Sequence, residues 1–182
     1  MTAAHTTGKE LNDNGFRLFL SRQQVAKRIR ELARVISADY RGRSPVVIGV
    51  LNGGFIFMAD LVRRLKLDVE IDFVKIASYG DSTTTSGTVH MTKKLDIPVA
   101  NRHVLVVEDI VDSGLSIRFL QQYLLNLKPA TLKFVSLLLK KNNTNNIKID
   151  YIGFKVPNKF VVGYGLDYKQ LLRNLPDIYI KQ

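Results

Sequence analysis

Two adjacent acids at the end of a run of strand-forming residues open the chemical reading of this chain. The segment Val104-Leu-Val-Val-Glu108-Asp109-Ile-Val-Asp112-Ser113-Gly114-Leu115-Ser116 places four apolar residues before Glu108 and Asp109. It then turns through Asp112, Ser113 and Gly114 into a helical pattern. The first N–H groups of a helix, with the positive end of its dipole, form an anion site suited to phosphate. Gly114 permits close backbone approach, and Ser113 and Ser116 add hydroxyl donors. The upstream acids would repel phosphate but suit sugar hydroxyls or a magnesium shell. A phosphate cradle beside a carboxylate pair is what a sugar phosphate requires. A helix cap at Asp112 or Ser113 would explain one of these residues, but not two consecutive acids closing a buried strand.

The elements that must position this turn alternate between strand and helix periods. Ser21-Arg22-Gln23-Gln24 resembles a capping box, followed by Val25, Ile29, Leu32, Ala33 and Ile36 at helical spacing. Val46 to Val50 reads as a strand buried on both faces, and Asn52-Gly53-Gly54 leads into a helix bearing Phe55, Met58, Leu61, Val62 and Leu65. Further strands are predicted over Ile71 to Ala77, Leu132 to Leu139 and Tyr151 to Val156. A helix with Ile117, Leu120, Leu124 and Leu127 follows the acidic turn. This alternation predicts an α/β protein with a central parallel sheet flanked by helices. Ligands of such sheets bind beyond the carboxyl ends of the strands, near a switch in strand order. Ser78 to His90, rich in Ser, Thr and Gly, is long for an internal connection and predicts a functional loop.

The chain's 182 residues predict one domain over 16–182, preceded by a polar, flexible segment over 1–15. With 46% hydrophobic and 24% charged residues the composition is that of a soluble globular protein. The absence of cysteine excludes disulfides, thiolate metal sites and cysteine nucleophiles. No apolar run is long enough for a membrane span, and the first residues lack the apolar core of a secretory signal, so a cytoplasmic location is expected. Lys and Arg total 27 against 16 Asp and Glu, a net charge of +11. That balance favours anionic partners: phosphorylated small molecules first, nucleic acid second. The cations are dispersed (Arg28, Arg30, Arg34, Arg63, Arg64, Lys93, Lys94, Lys140, Lys141), not gathered in a tail. His5, His90 and His103 lack metal-ligand spacing and read as non-catalytic. Lys93 and Lys94 read as solvated surface or a subunit contact.

The acidic turn resembles the phosphoribosyl-pyrophosphate signature of the type I phosphoribosyltransferases, and it has neither dinucleotide nor Walker glycine spacing. Leu51-Asn52-Gly53-Gly54 resembles the pyrophosphate loop of the hypoxanthine-guanine branch. Ser78-Tyr79 resembles the opening of its mobile lid, near 78–90. Leu137 to Lys140 and Pro157 to Tyr168 resemble its purine-site segments. The resemblance runs from about Phe16 to Ile178. It implies a small hood subdomain formed by the chain ends, and transfer of 5-phosphoribosyl from phosphoribosyl pyrophosphate to a 6-oxopurine, with magnesium as cofactor. By the same resemblance, Ser113, Gly114, Leu115 and Ser116 hold the 5′-phosphate, and Glu108 and Asp109 hold the ribose hydroxyls and help place magnesium. Asp112 is the general acid/base at the purine N7. Lys140 donates to the exocyclic O6, Phe160 stacks on the ring and Val161 reads its edge. Asp167 ligates magnesium, while Asn52, Gly53 and Arg173 bind pyrophosphate. Asn52 stands where many of that family carry Lys, and the Leu51-Asn52 bond is expected to be cis. Family members pair as homodimers or homotetramers, so the same is expected here, with no nucleic-acid or membrane partner.

Two other readings compete. A regulatory nucleic-acid-binding protein on the same fold is permitted by the charge, but no added nucleic-acid motif is visible. A pyrimidine or adenine phosphoribosyltransferase shares the acidic turn, yet predicts neither Lys140 nor the Phe160 to Asp167 segment.

Overall fold

A computed structural model describes residues 8–79, 88–140 and 147–182. Six strands form the main sheet in the order β4-β3-β2-β5-β6-β7. They are β2 (Val46–Leu51), β3 (Glu70–Tyr79), β4 (Thr88–Lys93), β5 (His103–Val111), β6 (Thr131–Lys140) and β7 (Tyr151–Val156). All neighbours run parallel except β4, which lies antiparallel on β3 at one edge. The two central strands carry apolar side chains in both directions because both faces are covered. Val47, Leu105 and Val107 meet helices α2 (Arg22–Asp39) and α3 (Phe55–Val62). Val46, Ile48, Val104 and Val106 meet α4 (Leu115–Asn126) through Ile117, Leu120 and Leu124. The capping box at Ser21 is formed: the Gln24 amide donates to Ser21 Oγ, and Ser21 N donates to Gln24 Oε1 at 2.8 Å.

The hood is a three-stranded sheet, β1-β9-β8, built from β1 (Phe16–Leu20), β8 (Val161–Val162) and β9 (Ile178–Lys181). Both ends of the chain contribute, as the family resemblance implied. The short strands β1 and β9 are too brief and mixed in polarity to announce themselves by periodicity. The described part of the polar start packs on the hood. Gly8–Asp13 forms a helix, α1, and Leu11 is buried against Phe16, Val162 and Leu175.

The segment read as a loop over 78–90 is shorter than expected. β3 continues through Ser78 and Tyr79, which pair with Val89 and Thr88 of β4. Thr, Val and Tyr favour extended backbone, and pairing to an edge strand absorbs both ends of the polar stretch. The centre of the predicted lid, 80–87, lies outside the described residues, as does the segment 141–146.

Lys93 is partly exposed, as a surface lysine is, yet it is tied down: its Nζ lies 3.2 Å from buried Asp72 and 2.9 Å from exposed Asp96. Asp72 also accepts from the amides of Phe73 (2.7 Å), Asp96 (2.7 Å) and Ile97 (3.0 Å). Burial alone would push this carboxyl up, but the amides of Ile97, Phe73 and Asp96 with Lys93 outweigh it and hold it below its ordinary value. Its contribution is therefore complete above the unfolded value of about 3.9 and is lost as pH falls through the lower folded value. Asp72→Asn, which has one acceptor oxygen fewer, is expected to lose about 1–2 kcal/mol at neutral pH. It should also flatten the acid limb below pH 4, read by urea melts between pH 3 and 7.

Candidate active site

β2 and β5 are the neighbours from which the chain departs in opposite directions, β2 toward β3 and β5 toward β6. The crevice therefore falls at their carboxyl ends. Pairing of β2 with β5 stops at Gly49↔Val107, while β5 continues beside β6 to Val111↔Leu139. Glu108 and Asp109 thus lie within the last part of a longer strand than expected, where the β2 side has opened.

One register step beyond Val111↔Leu139, Asp112 and Lys140 emerge side by side. Lys140 Nζ donates to Asp112 Oδ2 at 2.6 Å. Lys140 is 8% exposed, whereas Asp112 is exposed at the cleft mouth. A buried strand-end lysine held by a carboxylate is not a side chain reaching for solvent.

These two residues belong to a cleft of about 230 Å³ lined by Asp109, Ile110, Asp112, Lys140, Phe160, Val161, Leu166 and Asp167. Six of the eight are among the residues expected from the sequence. Ile110 and Leu166 were missed; each stands between expected site residues, and no polar group marked it. Drug-sized ligands occupy about 300–1,000 Å³, so this cleft suits a single flat heterocycle. Phe160 is 47% exposed. Its ring packs at an angle on Phe16 (6.3 Å) and Tyr168 (6.0 Å), so it is held in place without being core.

Asp109 lies between this cleft and the turn after β2. Leu51-Asn52 is a cis peptide. A Cβ on Gly53 would sit 1.7 Å from Asp109 Oδ2, so the carboxylate rests against bare backbone. Gly165, at φ +99°, in turn brings its own Cα to Gly53: a Cβ there would lie 2.2 Å from Gly53 O. The hydroxyl of Tyr164 donates to Asp60 of α3, pinning this contact from behind. Gly114 opens α4 at φ +77°, with Ser113 and Leu115 exposed and Ser116 half-buried. Ser113 Oγ accepts from the Leu115 amide at 3.4 Å.

Glu108 and Asp109 are each 8% exposed. Burial and the neighbouring Asp109 raise the Glu108 carboxyl well above its ordinary value, and burial raises Asp109. A raised carboxyl keeps its proton in the fold after the unfolded chain has released it. Stability therefore falls as pH rises above about 4.3, the unfolded value, until the folded group ionises. Glu108→Gln removes this penalty. Its melting temperature at pH 7.5 is expected to exceed the parent's by a few degrees, with a flatter stability profile above pH 5 in scanning calorimetry.

Asp167 and Arg173 are paired at 2.8 Å. Asp167 Oδ2 also accepts from the Gln170 amide, and Arg173 Nη1 donates to Gly165 O at 2.7 Å. Arg173 lies on no helix; it is held in an irregular segment against the Gly165 turn. Asn52 is exposed beside Gly53. Ser78 and Tyr79 end β3, and Val161 begins β8 in the cleft wall. His103 is occupied with Thr131 Oγ1 at 2.9 Å, away from the cleft. Among the described residues, no group of three or more His, Asp or Glu is arranged to hold a metal.

The phosphoribosyl transferase domain model matches residues 19–169. The chain is 41% identical to the hypoxanthine-guanine phosphoribosyltransferase of Aquifex aeolicus, over 94% of this chain and 98% of that one. It is 45% identical to the bifunctional protein TilS/HprT of Listeria innocua, covering 90% of this chain but only 26% of that longer relative. A crystal structure of a Bacillus anthracis hypoxanthine-guanine phosphoribosyltransferase, with HEPES in its active site, superposes with a TM-score of 0.87 at 42% identity, covering 91% of this chain and 98% of that one. These relatives lend nothing to the regulatory nucleic-acid reading. The chain therefore belongs to the phosphoribosyl transferase family, in its hypoxanthine-guanine branch.

Proposed function

We propose that this chain is a purine-salvage enzyme. It transfers the 5-phosphoribosyl group of phosphoribosyl pyrophosphate to hypoxanthine, and to guanine, yielding IMP or GMP and pyrophosphate. The observation that carries this reading is the Lys140–Asp112 pair, 2.6 Å apart at the mouth of a heterocycle-sized cleft with Phe160 on its wall. A purine nitrogen bonds to C1 of the ribose as the C1–oxygen bond to pyrophosphate breaks. Asp112 holds and moves the proton at N7. Lys140 donates to O6, which adenine lacks, so 6-oxopurines are selected. Phe160 stacks on the ring, and Val161 reads its edge through backbone groups.

Ser113, Gly114, Leu115 and Ser116 receive the 5′-phosphate at the start of α4, and Glu108 and Asp109 receive the ribose hydroxyls. Asn52 and Gly53 offer backbone donors to pyrophosphate, and Arg173 contacts it by exchanging part of its bond to Asp167. The donor set fits magnesium. Hard carboxylate oxygens of Asp167 and Asp109 line the cleft, with Glu108 next to Asp109 in the strand, without forming a cage, and Mg²⁺ commonly takes one or two carboxylates and completes its shell with water and substrate oxygens. When bound, the ion supplies charge neutralisation for the departing pyrophosphate. Ser78 and Tyr79 open a lid that excludes water from the oxocarbenium-like centre.

A cytoplasmic homodimer or homotetramer, with no membrane or nucleic-acid partner, completes the proposal; no described helix is long and apolar enough to cross a membrane. The test is turnover with magnesium, phosphoribosyl pyrophosphate and each of hypoxanthine, guanine, xanthine and adenine. Consumption of hypoxanthine and guanine but not adenine is expected. Preference for adenine, or no turnover with any base, would overturn the assignment.

A further inference from the structure

A cavity larger than the cleft lies elsewhere on the molecule. It is a trough of about 620 Å³ formed by the second half of α2, the turn after it and the chain leaving α3. Its walls carry Arg30, Arg34, Arg41, Arg64 and Lys66. An adjoining hollow shares Gly42, Lys66 and Leu67 with it and adds Arg43 and one carboxylate, Asp68. The trough faces the starts of β2 and β3, which pair from Val46↔Glu70, whereas the cleft lies at the carboxyl end of β2. The two sites are therefore at opposite ends of the sheet.

Among the described residues, no carboxylate lies within ion-pair distance of Arg30, Arg34, Arg41 or Lys66. Arg64 is different, since it is tied to Asp60. Arg30 and Arg34 are one helical turn apart, and like charges at that spacing weaken a helix. Convergent guanidinium groups around one concavity repel each other until an anion enters. Their planar forks match phosphate oxygens in pairs. Ser37 adds a hydroxyl, while Ala38 and Leu67 give the trough a small apolar floor. Its volume lies within the range of small-molecule sites.

We propose that this trough is a second anion site, separate from the transferase cleft, that binds a phosphate-chain ligand: a free oligophosphate or a nucleoside polyphosphate. Arg30, Arg34 and Arg41 grip the phosphates from three sides, and Lys66 closes the fourth. A nucleotide would place its ring on Ala38 and Leu67.

The test is titration calorimetry in about 0.15 M salt, where exposed charges more than ~8 Å apart are largely screened. Inorganic tripolyphosphate and ATP are titrated separately into the full chain and into Arg30→Gln/Arg34→Gln/Arg41→Gln. All three arginines are exposed, so the variant is expected to fold; Arg34→Gln alone, with a smaller loss, replaces it if it does not. The expected result is binding weakened at least tenfold in the triple variant, with the KM for phosphoribosyl pyrophosphate unchanged. Tighter binding of ATP than of tripolyphosphate identifies a nucleotide ligand, and the reverse a free chain. Equal affinity in parent and variant, or a loss that tracks a rise in that KM, overturns the proposal. So does tight binding of a single-stranded RNA oligonucleotide with none of tripolyphosphate, which would make the trough a nucleic-acid surface.

Discussion

Asp112→Asn is expected to lower kcat by about 10²–10⁴-fold, the usual contribution of a positioned acid or base. The KM for phosphoribosyl pyrophosphate should change only a few-fold, because the proposed phosphate and ribose contacts lie elsewhere on the turn. The amide oxygen can still accept from Lys140, which the parent carboxylate holds at 2.6 Å, so the lysine stays in register. What is lost is the capacity to take and return a proton. Steady-state kinetics with hypoxanthine, paired with melting curves, separate the two effects. A variant with near-parent kcat would remove Asp112 from the proton transfer, and one with a collapsed melting temperature would show that the ion pair is chiefly structural.

The second large effect is expected from a single methyl group. Gly165→Ala would place a Cβ 2.2 Å from the carbonyl oxygen of Gly53, at a φ of +99°. Neither partner can yield as a side chain would, since both are backbone. Gly53 is itself backed by Asp109, whose carboxylate occupies the space a Cβ would need. Displacement of the Gly165 turn therefore reaches Gly53 and Asp109, the proposed pyrophosphate side of the site, directly. Overpacking and the unfavourable φ together should cost about 3 kcal/mol, or a fall of about 6–12 °C in Tm. A 1 Å shift of a positioned group can remove about 10²-fold in rate, so kcat/KM should fall by at least that much. Gly42→Ala is the control: its φ is similar in sign, +74°, but nothing lies within 4 Å of the added Cβ. Equal losses in the two variants would leave the contact with Gly53 without consequence.

The acidic turn was legible because its residues are consecutive, and a strand followed by a helix fixes their placement with little help from the rest of the chain. The α2 cap and the buried faces of α2 and α4 were legible for the same reason: their signals repeat within one element. The hood was foreseen only through family resemblance. β1 and β9 have five and four residues, and their pairing joins positions 16 to 20 with 178 to 181, a relation no local pattern carries. The predicted loop came out shorter because polar residues can pair at a sheet edge, where one side faces water. The tie between Lys93 and Asp72 was not legible because the two lie 21 positions apart on adjacent strands. The Asp167–Arg173 pair combined two expected site residues whose mutual contact depends on the irregular path between them.

Because β9 is sandwiched between β1 and β8, the hood is completed after the main sheet during synthesis. The main sheet can assemble once residue 156 has left the ribosome, whereas Val161 gains its pairing strand only when 178–181 emerge. A nascent chain of this protein would thus own its acidic turn before the cleft wall carrying Val161 is fixed in place.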